Sequence, residues 1–193
     1  MINLIQREIQ DSINLKQKIL DDVMLLKQID EVAKVCLKSL MSGRKIILAG
    51  NGGSFADAQH ISAEFTSRYM IDRDSLASIC LGTNNSTISA IGNDYGYDKV
   101  FARELSSIGN HDDIFIAIST SGNSQNLIEA INIANKKEIR SFGLTGETGG
   151  KMNDLCECIN VPSIITGRIQ ESHIMIGHII CSIVEQEYFK DEK

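Results

Sequence analysis

Five short apolar runs, each followed by a stretch of helical character, constrain the fold of this chain more than any other feature. They are "KIILAG" at 45–50, "LASICLG" at 76–82, "DIFIAIS" at 113–119, "IRSFGLTG" at 139–146 and "CECINVPS" at 156–163. Near-continuous hydrophobicity marks strands buried on both faces, and such strands separated by helices build a parallel sheet covered on both sides. The segments between them read as helices: "NGGSFADAQHISAEF", "NNSTISAIG", "TSGNSQNLIEAINIANKK" and "ETGGKMNDL", with a terminal helix from about Gly167 to Phe189. The expectation is an α/β fold with a parallel sheet between helical layers. Pro162, the only proline, falls between the last strand and the last helix, where a missing N–H costs little.

Ahead of the first strand, Ile2 to Leu40 contains neither Gly nor Pro, and apolar residues recur at threes and fours: Ile2, Ile5, Ile9, Ile13, then Ile19, Val23, Leu26, Ile29. This spacing predicts one long helix or two in series with an apolar stripe, which covers its own domain, another copy of the chain, or both. A length of 193 residues suffices for one well-buried domain. The net charge of -6 argues against nucleic acid as principal ligand, because a surface that tracks phosphates carries a basic excess. No run approaches the roughly 20 apolar residues of a membrane span, and "MINLIQREIQ" is charged too early for a secretory h-region, so a cytoplasmic protein is expected. The five cysteines are scattered and odd in number, which suits reduced thiols. "CEC" at 156–158 lacks the second pair a metal site would need, and its cysteines read as small buried apolar side chains.

Ligands of open parallel sheets collect beyond the carboxyl ends of the strands. Two loops there are chemically alike. "GNGGS" at 50–54 and "STSGNS" at 119–124 both offer free N–H groups at a helix N-terminus, and the second adds the hydroxyls of Ser119, Thr120, Ser121 and Ser124. Serine capping of the helix would use one of these and leave the others unexplained, so an anion site is the fuller reading. Neither loop carries the lysine of a nucleotide P-loop or the dinucleotide fingerprint.

His60 and Glu64 stand four apart on a helix, so one face presents an imidazole and a carboxylate to a shared ion or proton; the same spacing also makes ordinary surface hydrogen bonds. The terminal helix carries Gln170, His173 and His178 among apolar neighbours. His173 and His178 lie roughly 140° apart around an ideal helix and cannot share one site, so one of them is structural or solvated. Gln170 and His178 lie roughly 12 Å apart along the axis, so sharing a metal requires stretched side chains or two different subunits.

Four blocks, "AGNGGSFADAQHISAEF" (49–65), "AIGNDYGYDKVFAREL" (90–105), "ISTSGNSQNLIEAI" (118–131) and "TGRIQESHIMIGHIICSIVE" (166–185), resemble the phosphoheptose isomerases of the sugar-isomerase (SIS) domain proteins. The resemblance implies a three-layer α/β/α sandwich of flavodoxin-like kind with a five-stranded parallel sheet, a single SIS domain over 1–193 whose helical segment 2–41 packs in an oligomer. It implies a cytoplasmic homotetramer with active sites near subunit interfaces, acting on a small sugar phosphate and on neither nucleic acid nor membrane. The implied reaction turns D-sedoheptulose 7-phosphate into D-glycero-D-manno-heptose 7-phosphate, for activated heptose of bacterial surface polysaccharide. Carried over by position, His60, Glu64, Gln170 and His178 match ligands of one zinc per subunit, and Glu64 and His178 match the proton carriers. Asn51, Gly52, Gly53, Ser54, Glu64, Asn93, Asp94, Ser119, Thr120, Ser121, Ser124 and Gln170 match substrate contacts, with Arg68 a further one. Asp94 reads equally well as a turn carboxylate in "GNDYG".

Three positions depart from the usual pattern of these proteins: "LGTNNST" at 81–87, Phe55 and Gly167. They bear on substrate preference and not on the fold. Two rivals remain on the residues alone, a non-catalytic SIS-domain binding protein of the type that associates with the replication initiator, and an isomerase of another sugar phosphate. The first lacks equivalents of Glu64 and His178; the pairing of "DAQHISAEF" with "RIQESH" favours heptose over the second.

Overall fold

The computed structural model of the chain describes residues 1–190. The opening segment is two helices in series, α1 (Ile2–Asp21) and α2 (Val23–Met41). Asp22 separates them: its extended backbone ends the first, and its carboxylate accepts the N–H of Met24 and Leu25 to cap the second. Only part of the apolar stripe is covered. Leu15, Ile19, Leu25 and Ile29 are buried, whereas Ile2, Ile5, Ile9, Ile13, Val23 and Leu26 stay exposed.

The rest alternates strand and helix: β1 (Ile46–Gly50), α3 (Gly53–Thr66), β2 (Ser78–Cys80), α4 (Asn85–Tyr95), α5 (Val100–Ile108), β3 (Ile114–Ile118), α6 (Gln125–Lys136), β4 (Arg140–Thr145), β5 (Glu157–Asn160) and α7 (Thr166–Tyr188). All pairings are parallel, in the order β2-β1-β3-β4-β5. Successive strand side chains point to opposite faces, and both faces are apolar. Ile46, Leu48, Ile114, Ile116, Phe142 and Leu144 join α2, α3 and α7 in one core. Ile47, Ala49, Phe115 and Ala117 join α4, α5 and α6 in the other. The expected five-stranded parallel sandwich is therefore what these runs build.

Three local expectations change. "ETGGKMNDL" holds no full helix but a 3-10 turn, Gly150–Asp154, because Gly149 and Gly150 both take positive φ and break the α-helical path. The segment between α4 and β3, left without structure by the apolar-run reading, contains a 3-10 turn (Tyr97–Lys99) and α5, whose Val100, Phe101 and Leu105 fill the second core. β2 and β5 are three and four residues long, shorter than their apolar runs, as suits the two edges of the sheet.

Candidate active site

The strand order reverses at β1, so the loops after β1 and β3 stand side by side at the topological switch point. Asn51, in the first loop, exchanges two amide hydrogen bonds with buried Asn126 of α6, at 3.0 and 2.9 Å, and also accepts the Tyr97 hydroxyl at 3.2 Å. Asn126 was not a sequence candidate; it sits in helix register beside apolar residues, and only the fold shows its partner 75 positions away. Gly52, at φ 56, makes the turn that starts α3, where Ser54 is buried. A Cβ on Gly53 would fall 2.5 Å from Gln170 Nε2, so that glycine is where α7 reaches the first turn of α3.

In the second loop the hydroxyls of Ser119, Ser121 and Ser124 converge, Ser119 Oγ lying 3.5 Å from Ser121 Oγ and 3.1 Å from Ser124 Oγ. Ser124 occupies the N-cap of α6 but makes no side-chain cap bond, so the capping explanation of these hydroxyls fails. Beside them Thr120, Ser121, Asn123, Ser163 and Thr166 line a cavity of about 250 Å³. The loop is braced from behind: Met152 N–H donates to the Gly122 carbonyl and Lys151 N–H to Asn123 Oδ1, both at 3.0 Å. Asn93 and Asp94 line a groove along α4 with Asn85, Ser86 and Ser89, and Asn93 donates to Asp94 at 2.8 Å. Phe55, one of the departures, packs with Tyr97 and Phe101 around a smaller cavity of about 180 Å³ next to Asn51. Gly167 is exposed in the first turn of α7, and Arg68 is exposed just beyond α3.

His60, Glu64 and His178 form a separate cluster. Their ligand atoms lie within 4.8 Å of one another, and no other such group of His, Cys, Asp or Glu is found among the described residues. His60 Nε2 is 3.0 Å from Glu64 Oε1, and the His60 and His178 rings meet edge to face at 4.9 Å. Tyr69 stacks on His178 at 5.4 Å. An imidazole pair with one carboxylate is a donor set that fits a divalent transition metal such as zinc. One turn before His60, Asp57 has a buried Oδ2 with no partner; burial raises its carboxyl, while His60 and His178 pull it back.

The cluster hangs on a buried ion pair. Glu185 of α7, 1% exposed, accepts the N–H of Tyr69 and Met70 at 2.9 and 2.7 Å and Arg73 Nε at 2.8 Å. Arg73 in turn donates to the carbonyls of Glu64 and Phe65, at 2.8 and 2.9 Å. Burial raises the Glu185 carboxyl, but these donors outweigh it and hold it below the ordinary value. His173 is the structural histidine of the pair: it is wholly buried, with Nε2 3.0 Å from the Thr145 carbonyl. Burial pushes its pKa down to about 4, so at neutral pH Nε2–H is the donor.

α3 and α7 run parallel, since Gly53 meets Gln170 and Ile61 meets Gly177. His60 therefore lies about 10 Å below the Gly53–Gln170 contact, and Glu64 about 16 Å below it. The glutamine thus stands toward the N-terminal end of the helix pair, and the His60, Glu64 and His178 cluster further along it.

The sequence profile of the SIS domain matches residues 11–146. The phosphoheptose isomerase of Aneurinibacillus thermoaerophilus is 53% identical over 193 residues, covering 100% of this chain and 98% of that protein. Phosphoheptose isomerase 2 of Campylobacter jejuni is 54% identical over 180 residues, 93% of this chain and 90% of that protein. A solved phosphoheptose isomerase from Francisella tularensis superposes with a TM-score of 0.91 at 33% identity, covering 96% of this chain and 98% of that one.

Proposed function

Because the chain belongs to the SIS domain family, and within it to the phosphoheptose isomerases, we propose that it is the aldose-ketose isomerase that interconverts D-sedoheptulose 7-phosphate and D-glycero-D-manno-heptose 7-phosphate. The observation that carries this reading is the convergence of His60, Glu64 and His178 within 4.8 Å in a chain similar throughout its length to isomerases. A non-catalytic SIS-domain protein has no need of that cluster.

The reaction removes a proton from carbon 1 of the ketose and delivers one to carbon 2, while oxygen 2 gains a proton and oxygen 1 loses one. A base and an acid must flank the two carbons of the enediol. Glu64 and His178 fill these roles: a carboxylate is a proton acceptor, and an imidazole has one nitrogen to accept a proton and one to donate it. His60, Glu64 and His178 would hold one zinc ion, with Gln170 as a further ligand. Zinc, when bound, polarises a carbonyl as a Lewis acid. Tyr69, seated by Glu185, fixes the His178 ring by stacking and so sets the direction in which its nitrogen points.

Ser119, Ser121 and Ser124 with Thr120 hold the phosphate at the positive end of α6, and Asn51, Gly52, Gly53 and Ser54 contact the sugar. Asn93 and Asp94 take up sugar hydroxyls from α4, and Arg68 is a further contact. We place the active sites near subunit interfaces, with the proton carriers from one copy and the phosphate nest or Gln170 from another. The exposed Ile2, Ile5, Ile9 and Ile13 supply the reason for association: segment 2–41 of this single SIS domain packs against neighbouring copies in a homotetramer. No helix among the described residues is long and apolar enough to cross a membrane, which agrees with a cytoplasmic enzyme of activated-heptose synthesis for surface polysaccharide.

Glu64→Gln and His178→Gln test the assignment. Each retains the fold by circular dichroism and loses conversion of sedoheptulose 7-phosphate; an active Glu64→Gln protein removes Glu64 from the mechanism.

A further inference from the structure

Cys156 and Cys158 are not the fully buried apolar fillers that their sequence suggests. Both are half-buried, and their Sγ atoms lie 3.8 Å apart at the edge strand of the sheet. Cys36, Cys80 and Cys181, by contrast, are fully buried. Both sulfurs open onto a groove that also presents Gln28, Arg140, Glu157 and Asn160, so a small solute reaches them.

The two thiols are inequivalent. With the Cys156 sulfur 3.8 Å away, Cys158 is held below the ordinary thiol value by that neighbour and by the Gly143 backbone. The same Cys156–Cys158 contact, with burial, pushes Cys156 up. A thiolate beside a protonated thiol is the arrangement in which one sulfur attacks an oxidant and the other resolves the product. The backbone permits closure. Cys156 sits in the bend that leads into β5, which brings its sulfur to 3.8 Å from that of Cys158, and closing to a bond of about 2.05 Å moves the sulfurs together by less than 2 Å.

We propose that Cys156 and Cys158 are an oxidation site for hydroperoxides, closing to an intrachain disulfide that loosens the Ser119–Ser124 loop. The Cys158 thiolate attacks one peroxide oxygen; the O–O bond breaks, the other oxygen leaves and is protonated, and Cys158 becomes a sulfenic acid. Cys156 sulfur then attacks Cys158 Sγ and gives up its proton. The S–S bond forms, the S–O bond breaks, and hydroxide leaves with that proton as water. Two thiols lose two electrons and two protons, and one hydrogen peroxide becomes two waters.

The route to the loop is a short chain of contacts. The N–H groups of Leu155 and Cys156 both donate to the Met152 carbonyl at 3.0 Å, and the Cys156 thiol lies 3.6 Å from that same oxygen. Met152 N–H donates to the Gly122 carbonyl at 3.0 Å, in the centre of the hydroxyl nest's loop. Drawing Cys156 toward Cys158 takes its sulfur from beside the Met152 carbonyl and pulls on the peptide that braces Gly122. The consequence for phosphate rests on the reading of that loop as the phosphate site; the disulfide itself does not.

Lys151 and Arg168 bound a tryptic peptide, 152–168, that holds both cysteines and no third. After treatment of the whole protein with hydrogen peroxide and alkylation, this peptide should be lighter by two hydrogens and unalkylated, and dithiothreitol should restore two alkylated thiols. Cys158→Ser should form no such product. A peptide that stays fully alkylated, or that gains oxygen without forming the bridge, overturns the proposal. Calorimetric titration with inorganic phosphate reads the coupling: oxidised wild type should bind about three- to tenfold more weakly than reduced, on the scale of one hydrogen bond. Equal affinity overturns the coupling. A reduced chain that binds no phosphate counts instead against the phosphate reading of the loop, and the peptide alone then judges the disulfide.

Discussion

Replacing His173 by Gln should flatten the acid side of this protein's stability profile. In the fold His173 is wholly buried, donates to the Thr145 carbonyl at 3.0 Å, and leaves Nδ1 without a partner. Its pKa is depressed from 6.5 to about 4 by burial. The unfolded chain therefore takes up a proton near 6.5 that the folded chain refuses until about 4. The sign follows from linkage: this group's contribution is fully present above the unfolded pKa and is lost as pH falls toward the folded one. The whole window is worth roughly 3 kcal/mol, of which roughly 2 kcal/mol disappears between pH 7 and pH 5. Glutamine keeps an N–H for Thr145 and cannot titrate. Asp57 and Glu104, whose carboxyls burial raises, titrate in both proteins and cancel in the difference. The assay is urea unfolding at matched protein concentration, wild type against His173→Gln, at pH 7 and pH 5. The variant should lose roughly 2 kcal/mol less than wild type over that interval. Equal losses would refute the reasoning, because His173 would then have to be protonated in the fold or neutral in both states.

Glu185→Ala leaves Arg73 charged and buried and frees the N–H groups of Tyr69 and Met70, so it should cost about 3–5 kcal/mol in chemical unfolding. A surviving population should show reduced turnover as His178 loses its stacked neighbour; an unfolding midpoint equal to wild type would contradict this. Chelation should abolish turnover and lower the thermal midpoint, with zinc restoring both; full activity in metal-free protein would remove zinc from the account. Mixing inactive Glu64→Gln with an inactive Ser119→Ala, Ser124→Ala double variant, after exchange of subunits, should restore part of the activity. No recovery in verified hybrids would mean that both halves of the site belong to one chain.

The sheet was legible because burial on both faces writes itself into hydropathy: "KIILAG" and "DIFIAIS" are β1 and β3 with little adjustment. Helix periodicity likewise brought His60 beside Glu64 and separated His173 from His178. What escaped depends on contacts between distant positions. Glu185 and Arg73 are 112 apart, and nothing near either one signals that they pair. Asn126 pairs across the switch point with Asn51 by the same kind of long-range contact. α5 was missed because its Gly96-Tyr97-Asp98 entry reads as a turn, although the helix behind it fills the core. That His178 of α7 joins His60 and Glu64 of α3 was likewise beyond one-dimensional spacing, since it follows from α3 and α7 running parallel down the same face of the sheet.

The most direct measurement is conversion of sedoheptulose 7-phosphate by purified, zinc-loaded protein in deuterated water, followed by NMR. The account predicts an aldose 7-phosphate that carries solvent deuterium at carbon 2, and no such product from Glu64→Gln. Absence of aldose from the folded wild-type protein would contradict it.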